Sequence, residues 1–408
     1  LPSQEEQQEK LAEALSNGGY KTARSFAIDS NRDIWTYQQT ELEVEIIAPT
    51  APGSYPLIIY LPSLGENAGG GRLWRETWAK AGYVVFSMQP VEISLALKAL
   101  EAERKFDDPH ELPNDENIDM ADENMEPRPE EERGGWFTEK RKRPSRTARE
   151  SELRFVGHQY FAPENLKTRL DQLYWTYRQL KTRNDLRQPL YAAADLSKVI
   201  LAGYDLGAQT VTAALGENFG TGLPHSDELK PAAAIVLSPS LDLAEGNVRT
   251  RFQKLDLPLL AITGGEDNDP YAISSASVRV ALWEQAPAGG KYLLLMRGAG
   301  HRLFAGNEMG GRFGLSGSTR GDAGMGGMES GGHGGGRRGM NGGGPGGGGM
   351  FGRSEHLDPN LGYKQVAAIA SVSSAFLDML IKKDEFAQAW LNEKAGKWLQ
   401  RAGSLQMR

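Results

Sequence analysis

Six short apolar runs set the tightest limit on how this chain can fold. They are residues 57–61 (LIIYL), 83–86 (YVVF), 198–202 (KVILA), 232–237 (AAAIVL), 259–263 (LLAIT) and 292–296 (YLLLM). None alternates apolar with polar residues, so each reads as a strand buried on both faces, as in a parallel sheet covered by helices. Stretches of helical character lie between them, over residues 72–81, 164–183, 206–216 and 272–286. Residues 40–48 (TELEVEIIA) differ. There Leu42, Val44 and Ile46 alternate with Glu41, Glu43 and Glu45, the pattern of a half-buried strand at a sheet edge. Strand and helix in alternation predict the α/β class, with a doubly wound, mostly parallel sheet and antiparallel strands at its start.

The 408 residues suffice for one large domain with insertions, and 39% hydrophobic residues supply a sizeable core. Residues 1–39 are expected to hold an N-terminal helix, 4–16, ending at Gly18-Gly19, and a leading segment; residues 40–408 make the α/β domain. Two segments break the pattern. Residues 92–150 are acidic over 115–132 and basic over 139–149. They read either as a solvated insertion or as a cap over the mouth of a site. Residues 309–352 are mostly glycine, punctuated by Met309, Met325, Met328, Met340, Met350 and His333. This composition reads as a flexible loop, with binding of a soft ion by thioethers and imidazole as the sharper alternative. Either segment offers a surface to a protein partner. Residues 363–381 and 384–399 then read as two helices that close the sheet at its last edge.

Charge and residue usage remove several function classes. A net charge of −7 argues against a nucleic-acid partner, which wants a basic face. No run of about 18 apolar residues is present, so no membrane span is expected. The absence of cysteine excludes disulfides, thiolate metal sites and a cysteine nucleophile. The chain starts at Leu1 and continues with a Gln/Glu-rich stretch, which fits a processed N-terminus and export to the periplasm or the extracellular space.

Three features at the carboxyl ends of expected strands carry chemistry. Gly203-Tyr204-Asp205-Leu206-Gly207 follows KVILA and precedes a helix. A Gly-x-x-x-Gly turn of this kind puts its central side chain on a sharp strand-to-helix bend, and the flanking glycines let the backbones pass. The next N–H, of Leu206, then becomes an oxyanion donor. Thr263-Gly264-Gly265-Glu266-Asp267-Asn268-Asp269-Pro270 follows LLAI and offers an acid. Gly298-Ala299-Gly300-His301 follows LLLM, and among six histidines only His301 directly follows a core-type run. The chain order Asp205, Asp267, His301 is that of nucleophile, acid and histidine in α/β-hydrolases.

Outside its two insertions, the chain from about residue 40 to 399 resembles the dienelactone-hydrolase and platelet-activating-factor-acetylhydrolase-like branch of the α/β-hydrolases. The matching pieces are PLIIYLPSLGENAGG, GYVVF, RLDQL, DLSKVILAGYDLGA, PLLAITGGEDNDP, GAGH and AFLDMLIKKDEFAQAWL. The resemblance implies the α/β-hydrolase fold and an oxyanion hole from the backbone N–H groups of Leu64 and Leu206. It also implies Asp267 as the acid that orients His301, with Asp269 as the fallback. No metal or organic cofactor is implied, and the substrate is a small molecule in a pocket above the sheet. The branch carries serine where Asp205 stands. An aspartate there resembles instead the haloalkane dehalogenases and epoxide hydrolases, whose aspartate attacks a saturated carbon and leaves an ester that histidine-activated water hydrolyses. Those enzymes tend to carry tryptophan where Leu206 stands.

Plainer readings stand beside these. Asp205 also suits the N-cap of the next helix, in a relative of the hydrolases that has lost catalysis and serves binding or structure. Asp267 and Asp269 suit a polar turn. Ser63 is an alternative nucleophile, but nothing in the sequence places a base beside it. Arg169 and Asp171 read as a structural pair, and His158 and His225 as ordinary polar residues.

Overall fold

One mixed sheet of nine strands organises the molecule, in the order β1-β2-β4-β3-β5-β6-β7-β8-β9. The strands are β1 (Ile28–Tyr37), β2 (Thr40–Pro49), β3 (Tyr55–Leu61), β4 (Val84–Pro90), β5 (Ala194–Tyr204), β6 (Pro231–Leu237), β7 (Leu259–Glu266), β8 (Lys291–Gly300) and β9 (Gly403–Met407). The computed structural model describes residues 4–98, 100, 146–220, 222–244, 246–307 and 361–408. β4, β3, β5, β6, β7 and β8 run parallel, and the six apolar runs lie in them. β1, β2 and β9 are antiparallel to their neighbours. The chain is therefore of the α/β class with a mostly parallel sheet.

Helices cover both faces, which is why the central strands need no polar alternation. On one face lie α1 (Gln4–Ser16), α2 (Arg72–Lys80) and the long C-terminal helix Leu361–Ile381. That last helix is long and apolar enough to cross a membrane by composition alone, yet 83% of its most apolar window is buried inside the fold. A helix apolar all round is here a core helix. Its Phe376 is fully buried beside Tyr292, so Phe376→Ala removes about 3–5 kcal/mol of stability. The opposite face carries the helix Pro163–Asp185 and the helix Leu206–Ala214.

Several boundaries differ from the sequence reading. The strand 40–48 is not at the edge, because β1 lies outside it. β1 was missed since IDSNRDIWTY is exposed at almost every position. The β1–β2 turn places Gln38 and Gln39 at positive φ, 47° and 69°, without the Gly or Asn that marks such turns. The last edge is closed by β9, a strand, and not by the two C-terminal helices. The second of those helices is broken by a π-helical segment, Trp390–Lys394. The stretch 272–286 shortens to a 3-10 turn, Ala276–Val278, and a helical turn, Ala281–Gln285. Part of the leading segment 1–39 belongs to the sheet as β1.

The charged insertion begins with α3 (Val91–Leu95) and ends in α4 (Arg146–Phe161). Most of 92–150, and all of the Gly/Met-rich segment 309–352, lie outside the described residues. α4 sits over the carboxyl ends of the strands. Its Leu153, Val156, Tyr160 and Phe161 pack with Leu64, Ile93, Leu206 and Tyr271. The approach is close at Gly157, where a Cβ would lie 2.4 Å from that of Tyr271.

Candidate active site

β5 ends in a strained turn that fixes Asp205. Its φ of 50° and ψ of −106° are unfavourable for any residue with a Cβ. Both flanking glycines are required by close backbone passage. A Cβ on Gly207 would lie 1.9 Å from the Leu61 oxygen, and one on Gly203 2.6 Å from the Gly207 carbonyl. The plain N-cap reading of Asp205 does not hold, because its side chain accepts no hydrogen bond from the helix Leu206–Ala214. Its carboxylate points elsewhere. Oδ2 accepts a 2.8 Å hydrogen bond from Ser63 Oγ, and Oδ1, fully buried, has no hydrogen-bond partner.

His301 follows β8 and stands between two carboxylates. Its Nδ1 is 2.7 Å from Asp267 Oδ1 and its Nε2 is 3.6 Å from Asp205 Oδ2. Tyr204 donates its hydroxyl to the His301 carbonyl and holds its ring against the imidazole. Burial alone would lower the imidazole pKa, but the two carboxylates outweigh it and raise it to about 9. His301 is thus an imidazolium at neutral pH. Burial likewise pushes the Asp205 carboxyl up, and the attraction of His301 and Arg279 with the Ser63 hydrogen bond wins, leaving its pKa below the ordinary value. Asp267 is also held low against its burial, by Arg279, His301 and Thr263, whose Oγ1 donates to Oδ2 at 2.7 Å.

Arg279 gave no signal in the sequence. It is fully buried and donates to the backbone oxygens of Asp267 at 2.6 Å and Ser238 at 2.8 Å. Its guanidinium lies 3.3 Å from Asp267 Oδ1, 4.0 Å from Asp205 Oδ1 and 3.8 Å from Asp269 Oδ2. One cation therefore offsets three buried carboxylates. Glu66 was missed as well. It accepts from Ser63 N at 2.9 Å and from Asn307 Nδ2 at 2.5 Å, tying the loop after β3 to the loop after β8. Only partner geometry reveals either residue.

The other expected residues divide cleanly. Asp269 is no rival to Asp267, since it accepts the N–H groups of Tyr271, Ile273 and Ser274 and shapes its own loop. Leu64 and Leu206 are buried together under α4, and neither N–H has a hydrogen-bond partner among the described residues. Ser63, beside which the sequence placed no base, donates its hydroxyl to the Asp205 carboxylate, 142 positions away in sequence. Arg169 is buried and donates to Thr210 Oγ1, Gln209 Oε1 and the Tyr160 carbonyl, not to Asp171; burial lowers its pKa to about 9. His158 is exposed, and His225 pairs with Asp227 at the surface. Among the described residues, no group of three or more His, Asp or Glu is placed to hold a metal ion.

No family model matches the chain, and no curated protein matches it.

Proposed function

We propose that the chain is an α/β-hydrolase-fold enzyme in which Asp205 displaces a leaving group from a saturated carbon, after which His301-activated water hydrolyses the resulting ester. The observation that carries the reading is the state of Asp205: ionised, on a strained and uncapped elbow, with one carboxylate oxygen that accepts no hydrogen bond and His301 alongside. Support comes also from the strand order, with the three side chains on the loops after β5, β7 and β8. In the first step an Asp205 oxygen bonds the carbon, and the leaving group departs with the bonding electrons; an epoxide oxygen instead takes a proton from the His301 imidazolium. In the second step water gives a proton to neutral His301 and adds to Asp205 Cγ. The Cγ–O bond to the alkyl group breaks, the departing alkoxide takes that proton from His301, and the carboxyl proton that the water leaves on Asp205 passes to His301 and restores the resting ion pair.

The first step prepares the second. Esterification removes the charge of Asp205, one of the two carboxylates that hold the imidazole pKa at about 9. The pKa then falls: after displacement of a halide the imidazolium releases its proton to solvent, whereas after epoxide opening the proton has already gone to the epoxide oxygen, so His301 changes from a cation that stabilises the carboxylate into a neutral base for water. Arg279 and Thr263 keep Asp267 ionised to orient the ring. Attack on a carbonyl ester would give a mixed anhydride, a poorer intermediate, so substrates with an sp³ reacting carbon are favoured.

One observation favours a non-catalytic, binding or structural role: Asp205 is 1% exposed and α4 lies over the site. The two readings part in a His301→Ala variant treated with bromobutane, styrene oxide and an activated ester. The enzymatic reading expects an alkyl ester on Asp205, seen by intact mass and peptide mapping. No adduct in the variant and no turnover by the native chain would decide for the non-catalytic role.

A further inference from the structure

The Ser63 hydroxyl has no part in the two steps as written, yet it is the closest group to the Asp205 carboxylate. Resting on the alkyl-enzyme reading above, we infer that Ser63 is an oxyanion donor for the hydrolysis of the ester on Asp205. Ser63 is 3% exposed and fixed at three atoms. Its N–H donates to Glu66 Oε2 at 2.9 Å, its carbonyl accepts from Gln89 Nε2 at 2.7 Å, and its Oγ donates to Asp205 Oδ2 at 2.8 Å. Glu66 is itself held by Asn307. The loop cannot drift from the elbow, because Leu61 and Pro62 lie against Gly207 without room for a methyl group. A donor held this way needs no reorganisation when charge develops in front of it.

The two oxygens of Asp205 then take different roles. Oδ1 accepts no hydrogen bond, with the Arg279 guanidinium no nearer than 4.0 Å, so it is the oxygen placed to form the bond to carbon. Oδ2 stays under the Ser63 hydroxyl and becomes the ester carbonyl. When water adds to Cγ, the electron pair of that carbonyl moves onto Oδ2, and the negative charge appears at the end of the Ser63 hydrogen bond. Collapse of the adduct restores the carbonyl, expels the alkoxide and returns the proton from His301 to it. Ser63 neither gives up its proton nor forms a bond to substrate. A role as nucleophile fits poorly, since the carboxylate beside it is held below its ordinary pKa and is a weak base.

A purely structural Ser63 would orient the resting carboxylate, so its loss would slow alkylation. An oxyanion donor acts only in the second step. The test is rapid-quench intact mass with bromobutane on the native chain, Ser63→Ala, Ser63→Thr and His301→Ala, each checked for folding by thermal melting. Removing one donor of an oxyanion hole slows the step it serves by about 100-fold. The account expects Ser63→Ala to alkylate at least as fast as the native chain, to hydrolyse about 100-fold more slowly and to accumulate the adduct. Ser63→Thr, which keeps the hydroxyl, restores hydrolysis. Ester hydrolysis by Ser63→Ala at the native rate, or slowed alkylation with hydrolysis unchanged, overturns the inference while an adduct in His301→Ala leaves the nucleophile reading standing. No adduct in His301→Ala overturns that reading and this inference together.

Discussion

Two buried carboxylates, Asp205 and Asp378, are each 1% exposed, and the fold treats them in opposite ways. Asp378, on the C-terminal helix Leu361–Ile381, is saturated. Oδ2 accepts from Tyr20 at 2.7 Å and Thr22 at 2.9 Å, and Oδ1 accepts from Tyr83 at 2.9 Å and pairs with Lys382 at 2.7 Å. These donors come from the leading segment, from Tyr83 just before β4 and from Lys382 just after the helix, so the carboxylate binds three parts of the chain together. Asp205 has one hydroxyl, an imidazolium at 3.6 Å and a guanidinium at 4.0 Å from an oxygen with no hydrogen bond, on a backbone that is itself strained. A buried carboxylate kept for stability collects every partner it can accept. One kept for chemistry leaves an oxygen without a hydrogen bond, and the fold carries that cost.

The largest expected effect separates the two on stability. Asp378→Ala leaves the buried hydroxyls of Tyr20 and Tyr83 without their acceptor, which costs about 1–3 kcal/mol for each, and removes the Lys382 ion pair. Denaturant unfolding measures it, and alkylation of Asp205 in the remaining folded protein is expected to continue at the native rate. A loss under about 1 kcal/mol would break the contrast.

The next effect is a pH dependence. The folded His301 pKa of about 9 lies above its ordinary value of 6.5. This raised pKa contributes stability that is fully present below about pH 6.5 and lost as pH rises through about 9, on the order of 3 kcal/mol at most. Melting temperature should fall across that window. Asp378→Ala should leave the slope in place, whereas Asp205→Gly should flatten it by removing one of the two carboxylates. A slope unchanged in Asp205→Gly would show that Asp205 does not set the charge of His301.

The smallest expected effect is on the stability of Asp205→Gly itself. Glycine relieves the positive φ, worth on the order of 1–3 kcal/mol, and this offsets the lost Ser63 hydrogen bond and His301 pair. The net change should stay within about 1 kcal/mol by thermal melting, with alkylation abolished. A loss as large as that of Asp378→Ala would mark Asp205 as structural.

How much of this was legible in the sequence follows from what kind of signal each part leaves. The six buried strands announce themselves because burial on two faces demands unbroken apolar runs. The elbow was legible because Gly203 and Gly207 answer a local steric need, and Asp267 and His301 because they fall directly after core strands. β1 was not legible, since an edge strand in water can carry IDSNRDIWTY. β9 was not, because five residues of mixed character need only a free edge to pair. Arg279, Glu66 and the Ser63–Asp205 bond left no trace, for Arg279 and Ser63 act on partners from about ten to more than a hundred residues away, and Glu66 joins Ser63 to Asn307, 241 positions on. The fold was thus readable from periodicity, and the electrostatics of the site only from its three-dimensional arrangement.

Attack of Asp205 on the substrate carbon is the step on which the proposed chemistry turns. A single turnover of bromobutane with excess enzyme in water labelled with heavy oxygen tests it. If water attacks Cγ of an ester on Asp205, the label enters the Asp205 side chain and the product alcohol carries the enzyme's own unlabelled oxygen. Mass spectrometry of the peptide spanning Asp205 is predicted to show the heavier carboxylate. Label found in the alcohol, with Asp205 unlabelled, would mean that water attacks the substrate directly and would contradict the account.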